Sequence, residues 1–233
     1  MNAARRAWLR WRLPGDTFER HAIVARLTTG AERVLDVGGV RGELDGFLAS
    51  PIETANVDGA ADHLLTGGAL PFADGSYDTV VSLDTLEHVP AGDRRRFFAE
   101  CLRVASCRVV LCAPFGTDEH ERLERTLDAR HRERYGGPNP WLAEHLENGL
   151  PRCDLLDELV ADAQDAGFRA RVGFHGDIRT TAAVFEAAMD FKNRPTPASA
   201  AHYAWRRLIA RDELALADRP HPFTNRFFLS ADC

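Results

Sequence analysis

The sequence predicts an α/β protein in which a parallel sheet is covered by helices on both faces. Three observations carry this. Short runs of β-branched and apolar residues alternate with helical patterns along the chain. A glycine-rich turn follows directly on the first of these runs, as at a strand-to-helix junction. The composition, 45% hydrophobic and 27% charged over 233 residues, is that of an ordinary globular chain long enough to bury one large core. A single domain over residues 1–233 is expected.

The elements follow in order. Residues 1–32 form an N-terminal helical segment that opens "MNAARRAWLRWRLPGD", where Trp8 and Trp11 stand among Arg5, Arg6, Arg10 and Arg12. Its apolar part is too short for a leader or an anchor, so its tryptophans should pack on the domain. "RVLDVGG" reads as the first strand and "ELDGFLAS" as the helix after it; "IETANVD" is a second strand ending at Asp58, and "YDTVVSLD" a further one. "DRRRFFAECLRVA" has helical spacing, and "CRVVLCAPF" is a strand closed by Pro114.

Residues 116–151 depart from the alternation and read as a lid-like insertion. Leu123 and Leu127 are the strong apolar pair of a highly charged helix that Gly136, Gly137 and Pro138 end. In "CDLLDELVADAQDAGF", Leu155, Leu156, Leu159, Val160 and Ala163 share one helix face, with Asp154 as N-cap and Gly167 as the stop. "FRARVGFHG" and "NRFFLSA" are the last two strands. Between them lies a second helical insertion, 178–222, with helices near 182–191 and 198–216 separated by "NRPTP".

Bulk properties narrow the function. A net charge of −6 offers no general attraction to a phosphate backbone, which disfavours nucleic acid. Nowhere do eighteen apolar residues run together, so no membrane span is expected. Five cysteines without a C-x-x-C pair suggest reduced thiols, a cytoplasmic location and no structural zinc.

The turn Gly38-Gly39-Val40-Arg41-Gly42 lacks the G-x-G-x-x-G spacing that seats a pyrophosphate on helix N–H groups. Asp36, two residues before it, would repel a pyrophosphate and attract a cationic ligand. Asp58, about twenty residues after the turn, stands where an acid accepts hydrogen bonds from ribose hydroxyls. A nucleoside with a cationic tail meets both requirements, and S-adenosyl-L-methionine is such a molecule.

"VLDVGGVRGEL", "NVD", "LPFADGSYDTVVSLDTLEHVP" and "CLRVASCRVVLCAPF" together resemble the class I S-adenosylmethionine-dependent methyltransferases, in the small-molecule branch that carries an LPF…LEHV pattern. The resemblance covers about 33–115 and resumes more weakly in the last two strands. It implies a Rossmann-like sheet of seven strands, mostly parallel with an antiparallel last strand. It also implies roles: Asp36, Gly38, Gly39 and Gly42 around the methionine part, Asp58 on ribose, Thr66 and Gly67 at adenine, Leu83 and Asp84 on the methionine side. Two positions depart from the pattern. Val40 stands where glycine is usual, and Thr66 where aspartate is common. A positive φ at Val40 would strain its β-branch, and Gly39 is expected to supply that freedom instead.

The acceptor is expected to be a small molecule, methylated at oxygen on a sugar or secondary metabolite. RNA methylation, and a non-catalytic fold that binds a partner through its helical insertions, are the alternatives. His120 and His145 are the candidate bases, since both lie in the insertion after the fifth strand. No metal is expected. The alternative is an ion on Asp84, Glu87 and His88, which share one face if "DTLEH" is helical and which resemble the metal-binding E..EH of small-RNA and quinone-biosynthetic O-methyltransferases. Tyr135, Trp141, Phe185, Phe191, Tyr203 and Trp205 give the insertions enough aromatic surface to wall a pocket or a homodimer interface.

Overall fold

The computed structural model describes residues 3–57, 59–208 and 215–233. Its seven strands are β1 (Val34–Val37), β2 (Ile52–Asn56), β3 (His63–Leu64), β4 (Tyr77–Leu83), β5 (Ala105–Pro114), β6 (Arg169–Asp177) and β7 (Thr224–Asp232). They form one sheet in the order β3-β2-β1-β4-β5-β7-β6. β1, β2, β3, β4 and β5 pair in parallel, whereas β7 runs antiparallel to both β5 and β6. The predicted α/β class and the antiparallel last strand are both present.

The side-chain period of two sorts the core onto two faces. On one, Val34, Val81, Val110, Cys112 and Phe228 meet Phe18, Ile23 and Val24 of helix α2 (Gly15–Leu27). On the other, Leu35, Val37, Val80, Val109, Leu111, Phe227 and Leu229 meet helices α3 (Arg94–Val104) and α6 (Cys153–Asp165). α3 contributes Phe98, Cys101 and Leu102, spaced as one helix stripe, and α6 contributes Leu156, Leu159 and Ala163.

The two insertions pack on each other. Helices α4 (Asp118–Tyr135) and α5 (Pro140–Asn148) follow β5, and α7 (Ile178–Asn193) and α8 (Pro197–Leu208) follow β6. Leu127, Leu142 and Ala182 form a small separate core with Leu123 and Phe185. β5 and β6 are parallel, so both insertions leave the carboxyl edge of the sheet and together cover it. Thr117 caps α4 by accepting from the His120 N–H, and Gly136, at φ +82°, ends it as predicted.

Several expectations are corrected. "ELDGFLAS" forms only a 3₁₀ turn, Leu44–Gly46, because Asp45-Gly46 interrupts a segment too short to sustain a helix, while Leu44 and Phe47 are still buried. α6 starts at Cys153 with Arg152 at the cap position, leaving Asp154 inside the first turn. The helix expected to reach Leu216 is described to Leu208, and Ala217 already pairs with Phe174 as an antiparallel bridge. Leu9 is buried in helix α1 (Ala3–Arg12), whereas Trp8 and Trp11 stay 53% and 67% exposed, with Arg12 over the Trp8 ring. Trp141 and Trp205 are likewise exposed, which does not fit the pocket wall among the two uses expected of the insertion aromatics. Among the described residues, no helix is long and apolar enough to cross a membrane.

Candidate active site

The glycine turn leaves β1 at the carboxyl edge of the sheet. Gly38 and Gly42 take φ of +88° and +89°, and among the described residues the one non-glycine with positive φ is Asp84. Val40 therefore carries no left-handed strain, and glycine is dispensable there. Gly39 does not supply the freedom expected of it. Its missing side chain makes room instead, since a Cβ there would lie 2.0 Å from Asp36 Oδ2.

Gly38 is needed twice. Its φ is left-handed, and a Cβ would sit 1.9 Å from Thr85 Oγ1 on the loop after β4. The turn is fixed by hydrogen bonds from Gly38 N–H to the Ala55 carbonyl (2.7 Å) and from Asn56 Nδ2 to the carbonyls of Gly38 (2.8 Å) and Gly39 (3.3 Å). Arg41 Nη2 donates to the Ala61 carbonyl (2.6 Å). Space is open where a Cβ would stand at Gly42, Gly59 and Gly67, so backbone at these positions is accessible to a ligand. Thr66 and Gly67 lie exposed on the loop after β3, and Leu83 is half-buried at the end of β4. Asp58 lies outside the described residues, two positions beyond the end of β2.

The carboxylate expected to attract a cationic ligand, Asp36, is buried. It is 3% exposed, and its Oδ1 has no hydrogen-bond partner. Burial, with Glu43 and Asp45 adding repulsion, pushes its carboxyl up to about 7. At neutral pH it is about half ionised, so its Coulomb pull on a cation is weaker than the sequence implies.

Asp84 sits in a largely half-buried ionic network in which Arg226 is buried. Its carboxylate takes Arg20 Nε at 2.9 Å and the Arg226 guanidinium, and Arg226 also reaches Asp16 at 3.9 Å. Burial opposes ionisation of Asp84, but Arg20 and Arg226 outweigh it and hold its carboxyl below the usual range. Burial, followed by the charge of Arg20, lowers the neighbouring His21 to about 4.

The residues Asp84–His88 form a turn rather than a helix, with His88 N–H bonded to the Thr85 carbonyl at 3.0 Å. The expected helix face does not exist, and Asp84 is committed to its arginines. The metal alternative on Asp84, Glu87 and His88 is therefore corrected in its membership: Glu87 and His88 instead meet His145 of α5, one donor atom of each lying within 4.8 Å of the others. Glu87 is 1% exposed, its Oε2 has no partner, and burial together with the charge of Asp84 pushes its carboxyl up to about 8.

His145 Nδ1 is 2.9 Å from Glu124 Oε1, and His88 Nδ1 is 2.5 Å from Glu144 Oε2. Burial disfavours the charged His145 ring, yet Glu124 chiefly, then Glu87 and Asp84, raise it above the ordinary histidine range. The other predicted base is corrected. His120 is 1% exposed on the buried face of α4, with Nε2 3.5 Å from Glu124 one turn on, so it faces that carboxylate and not an acceptor.

Residues 50–111 match a family model described as a methyltransferase domain. No curated protein sequence matches the chain. Among solved structures, phosphoethanolamine N-methyltransferase 2 of Haemonchus contortus, in complex with S-adenosyl-L-methionine, superposes with a TM-score of 0.55 at 15% identity, over 91% of this chain and 51% of that one. A SAM-dependent methyltransferase from Archaeoglobus fulgidus gives 0.54 at 12% identity over 100% of both chains. The magnesium protoporphyrin IX methyltransferase of Synechocystis PCC 6803, with bound SAH, gives 0.50 at 14% identity over 94% of this chain and 83% of that one. The chain has the Rossmann-like methyltransferase fold. It spans about half the length of the Haemonchus enzyme.

In this methyltransferase fold, three side chains that sequence reasoning passed over organise the carboxyl edge. Arg226, Arg94 and Glu124 are all buried. Arg226 stands in an otherwise apolar last strand, and a lone arginine in "NRFFLSA" was the available signal for it. Arg94 and Glu124 lie in charged helical runs that look solvated, and nothing in their spacing distinguishes them from their exposed neighbours.

Proposed function

We propose that this chain transfers a methyl group from S-adenosyl-L-methionine to a hydroxyl of a small-molecule acceptor such as a sugar or secondary metabolite. The observation that carries the reading is the junction of the Gly38 turn with the loop after β4, where Gly38 and Thr85 touch at the carboxyl edge of a methyltransferase sheet. Open α/β sheets bind ligands in this crevice. The open space over Gly42, Gly59 and Gly67 and the unstrained Val40 fit close approach of backbone to a cofactor.

Gly38, Gly39 and Gly42 would hold the methionine part, Asp58 the ribose, and Thr66 and Gly67 the adenine. Leu83 and Asp84 would stand on the methionine side, Asp84 keeping its position through Arg20 and Arg226. S-adenosyl-L-methionine bound there would supply an electrophilic sulfonium methyl, with the thioether sulfur as the leaving group that keeps the bonding electron pair when an acceptor oxygen displaces it. His145 would take the hydroxyl proton at the nitrogen that Glu124 leaves free, a role supported by Glu124, which makes the ring a stronger base. Alignment of acceptor and methyl under the helical cover supplies much of the rate.

Titration calorimetry with S-adenosylhomocysteine tests the reading. Micromolar binding is expected, and no binding at millimolar ligand defeats it. His145→Ala should lower turnover about 10²-fold or more while leaving cofactor affinity nearly unchanged. Unchanged turnover removes His145 from the reaction.

A further inference from the structure

We propose that Glu87, His88 and His145 form a binding site for one divalent transition-metal ion, placed to hold the oxygen of the methyl acceptor. The ion site stands on its own observations; only its use toward an acceptor rests on the methyl-transfer reading above, and with the ion bound His145 Nε2 coordinates it, so acidification of the hydroxyl by the ion takes the place of proton transfer to that nitrogen.

The donor set is two imidazoles and one carboxylate, brought together from the loop after β4 and from α5, with one donor atom of each within 4.8 Å of the others. Metal–ligand bonds of about 2.0–2.2 Å would draw these donors further inward. Three protein ligands leave coordination positions open for water or an alcohol, as at catalytic rather than structural sites. Two imidazoles favour zinc, cobalt or nickel, and the carboxylate with open positions also admits manganese, over magnesium or calcium, which take oxygen ligands.

Two independent features point to a cation here. Glu87 is 1% exposed, its Oε2 has no hydrogen-bond partner, and a carboxylate oxygen of it lies within 4.8 Å of donor atoms of both rings. A buried carboxylate oxygen without a partner is costly, and a bound cation removes that cost. In addition, both rings are oriented as metal-bound histidines are. His145 Nδ1 is held by Glu124 at 2.9 Å and His88 Nδ1 by Glu144 at 2.5 Å, which leaves Nε2 of each ring to coordinate. A carboxylate on the far nitrogen fixes the tautomer and raises the basicity of the donating one. The ring centroids lie 5.2 Å apart.

The scaffold holds the two halves in register. Buried Arg94 donates from Nε to the Leu86 and Val89 carbonyls (3.1 and 3.0 Å), and from Nη2 to the Asn148 and Gly149 carbonyls (3.2 and 2.5 Å). Asn148 Nδ2 returns to the His88 carbonyl at 3.2 Å. The loop bearing Glu87 and His88 is thus tied to the end of the helix bearing His145. A hydroxyl on the ion would be acidified beside the methyl donor, so the acceptor class is an alcohol or a vicinal diol.

The test uses the full chain, stripped with chelator and titrated calorimetrically with Mn²⁺, which the exposed cysteines do not favour, and with Co²⁺ followed by its visible absorption. One equivalent of each ion is expected, with a Co²⁺ spectrum of four- or five-coordinate N/O ligation. Glu87→Gln and His145→Asn should each weaken binding at least tenfold, and Glu144→Gln should weaken it less. Circular dichroism melting of the stripped variants shows that each is folded, and His145→Asn serves if Glu87→Gln is not. Wild type binding no more tightly than both folded variants overturns the site. S-adenosylhomocysteine titrated into the same samples separates the two readings. Cofactor binding without ion binding refutes the metal site alone, and ion binding without cofactor binding refutes the methyl-transfer reading alone.

Discussion

Replacing Asp36 by asparagine removes a buried charge without changing the side chain's shape, and its effect on stability should depend on pH in a calculable way. An ordinary aspartate ionises near 3.8, whereas in the folded protein burial, Glu43 and Asp45 hold Asp36 at about 7. The folded-state value is raised, so the stability Asp36 lends is complete below the unfolded-state value and is lost as pH rises through the folded-state value. At about 1.36 kcal/mol per tenfold, holding Asp36 at its raised value costs the folded state about 1–2 kcal/mol at pH 5, where the group is still protonated in the folded protein, and about 4 kcal/mol at pH 8, beyond which the cost is constant. The amide of the Asp36→Asn variant does not titrate. The variant should therefore gain about 3 kcal/mol on wild type between pH 5 and pH 8. For a chain of this size that is a difference of roughly 6–12 °C in melting temperature. Guanidinium unfolding of both proteins at the two pH values, without ligand, measures it. A stability difference that is the same at pH 5 and pH 8 would show that Asp36 ionises normally, through solvent or a partner, and that the buried-acid description of the turn is wrong.

Gly38→Ala and Gly42→Ala separate close approach from backbone strain, because both positions have nearly the same φ but only Gly38 has Thr85 against it. Gly42→Ala should cost about 1–2 kcal/mol and Gly38→Ala about 2–4 kcal/mol in denaturant unfolding, with equal costs arguing against the Gly38–Thr85 contact. Cys107 and Cys233 lie side by side where β5 meets the chain end after β7, with Sγ atoms 3.3 Å apart and both exposed. Diamide should convert them to a disulfide, removing two thiols from a dithionitrobenzoate count and raising the melting temperature by several degrees, since the bridge closes a long loop. Unchanged thiol count after oxidation, or loss of the effect only when Cys153 is replaced, would refute that pairing.

The fold was legible because the signals that specify it are local. β5 is buried from Val109 onward, and with Phe115 that run reads as a central strand without any tertiary information. The same holds for α3 and α6, whose apolar stripes meet the sheet. What could not be read was decided by contacts between distant segments. "ELDGFLAS" has a helical pattern, but Gly46 packs against Leu9, 37 positions away by residue number, with 3.2 Å between its would-be Cβ and Leu9 Cδ2. "DTLEH" looks like one helix face until Asp84 takes a positive φ to reach Arg20 and Arg226. That ion pair has a consequence beyond Asp84 itself. By committing the first carboxylate of the motif to two arginines it leaves Glu87 and His88 short of a third neighbour, and the insertion after β5 supplies one in His145. Candidate chemistry at the carboxyl edge is therefore set jointly by a local motif and a remote helix. His145, chosen from sequence only for its position in an insertion, gains its reason from Glu124 and Arg94, which no pattern in the sequence singles out.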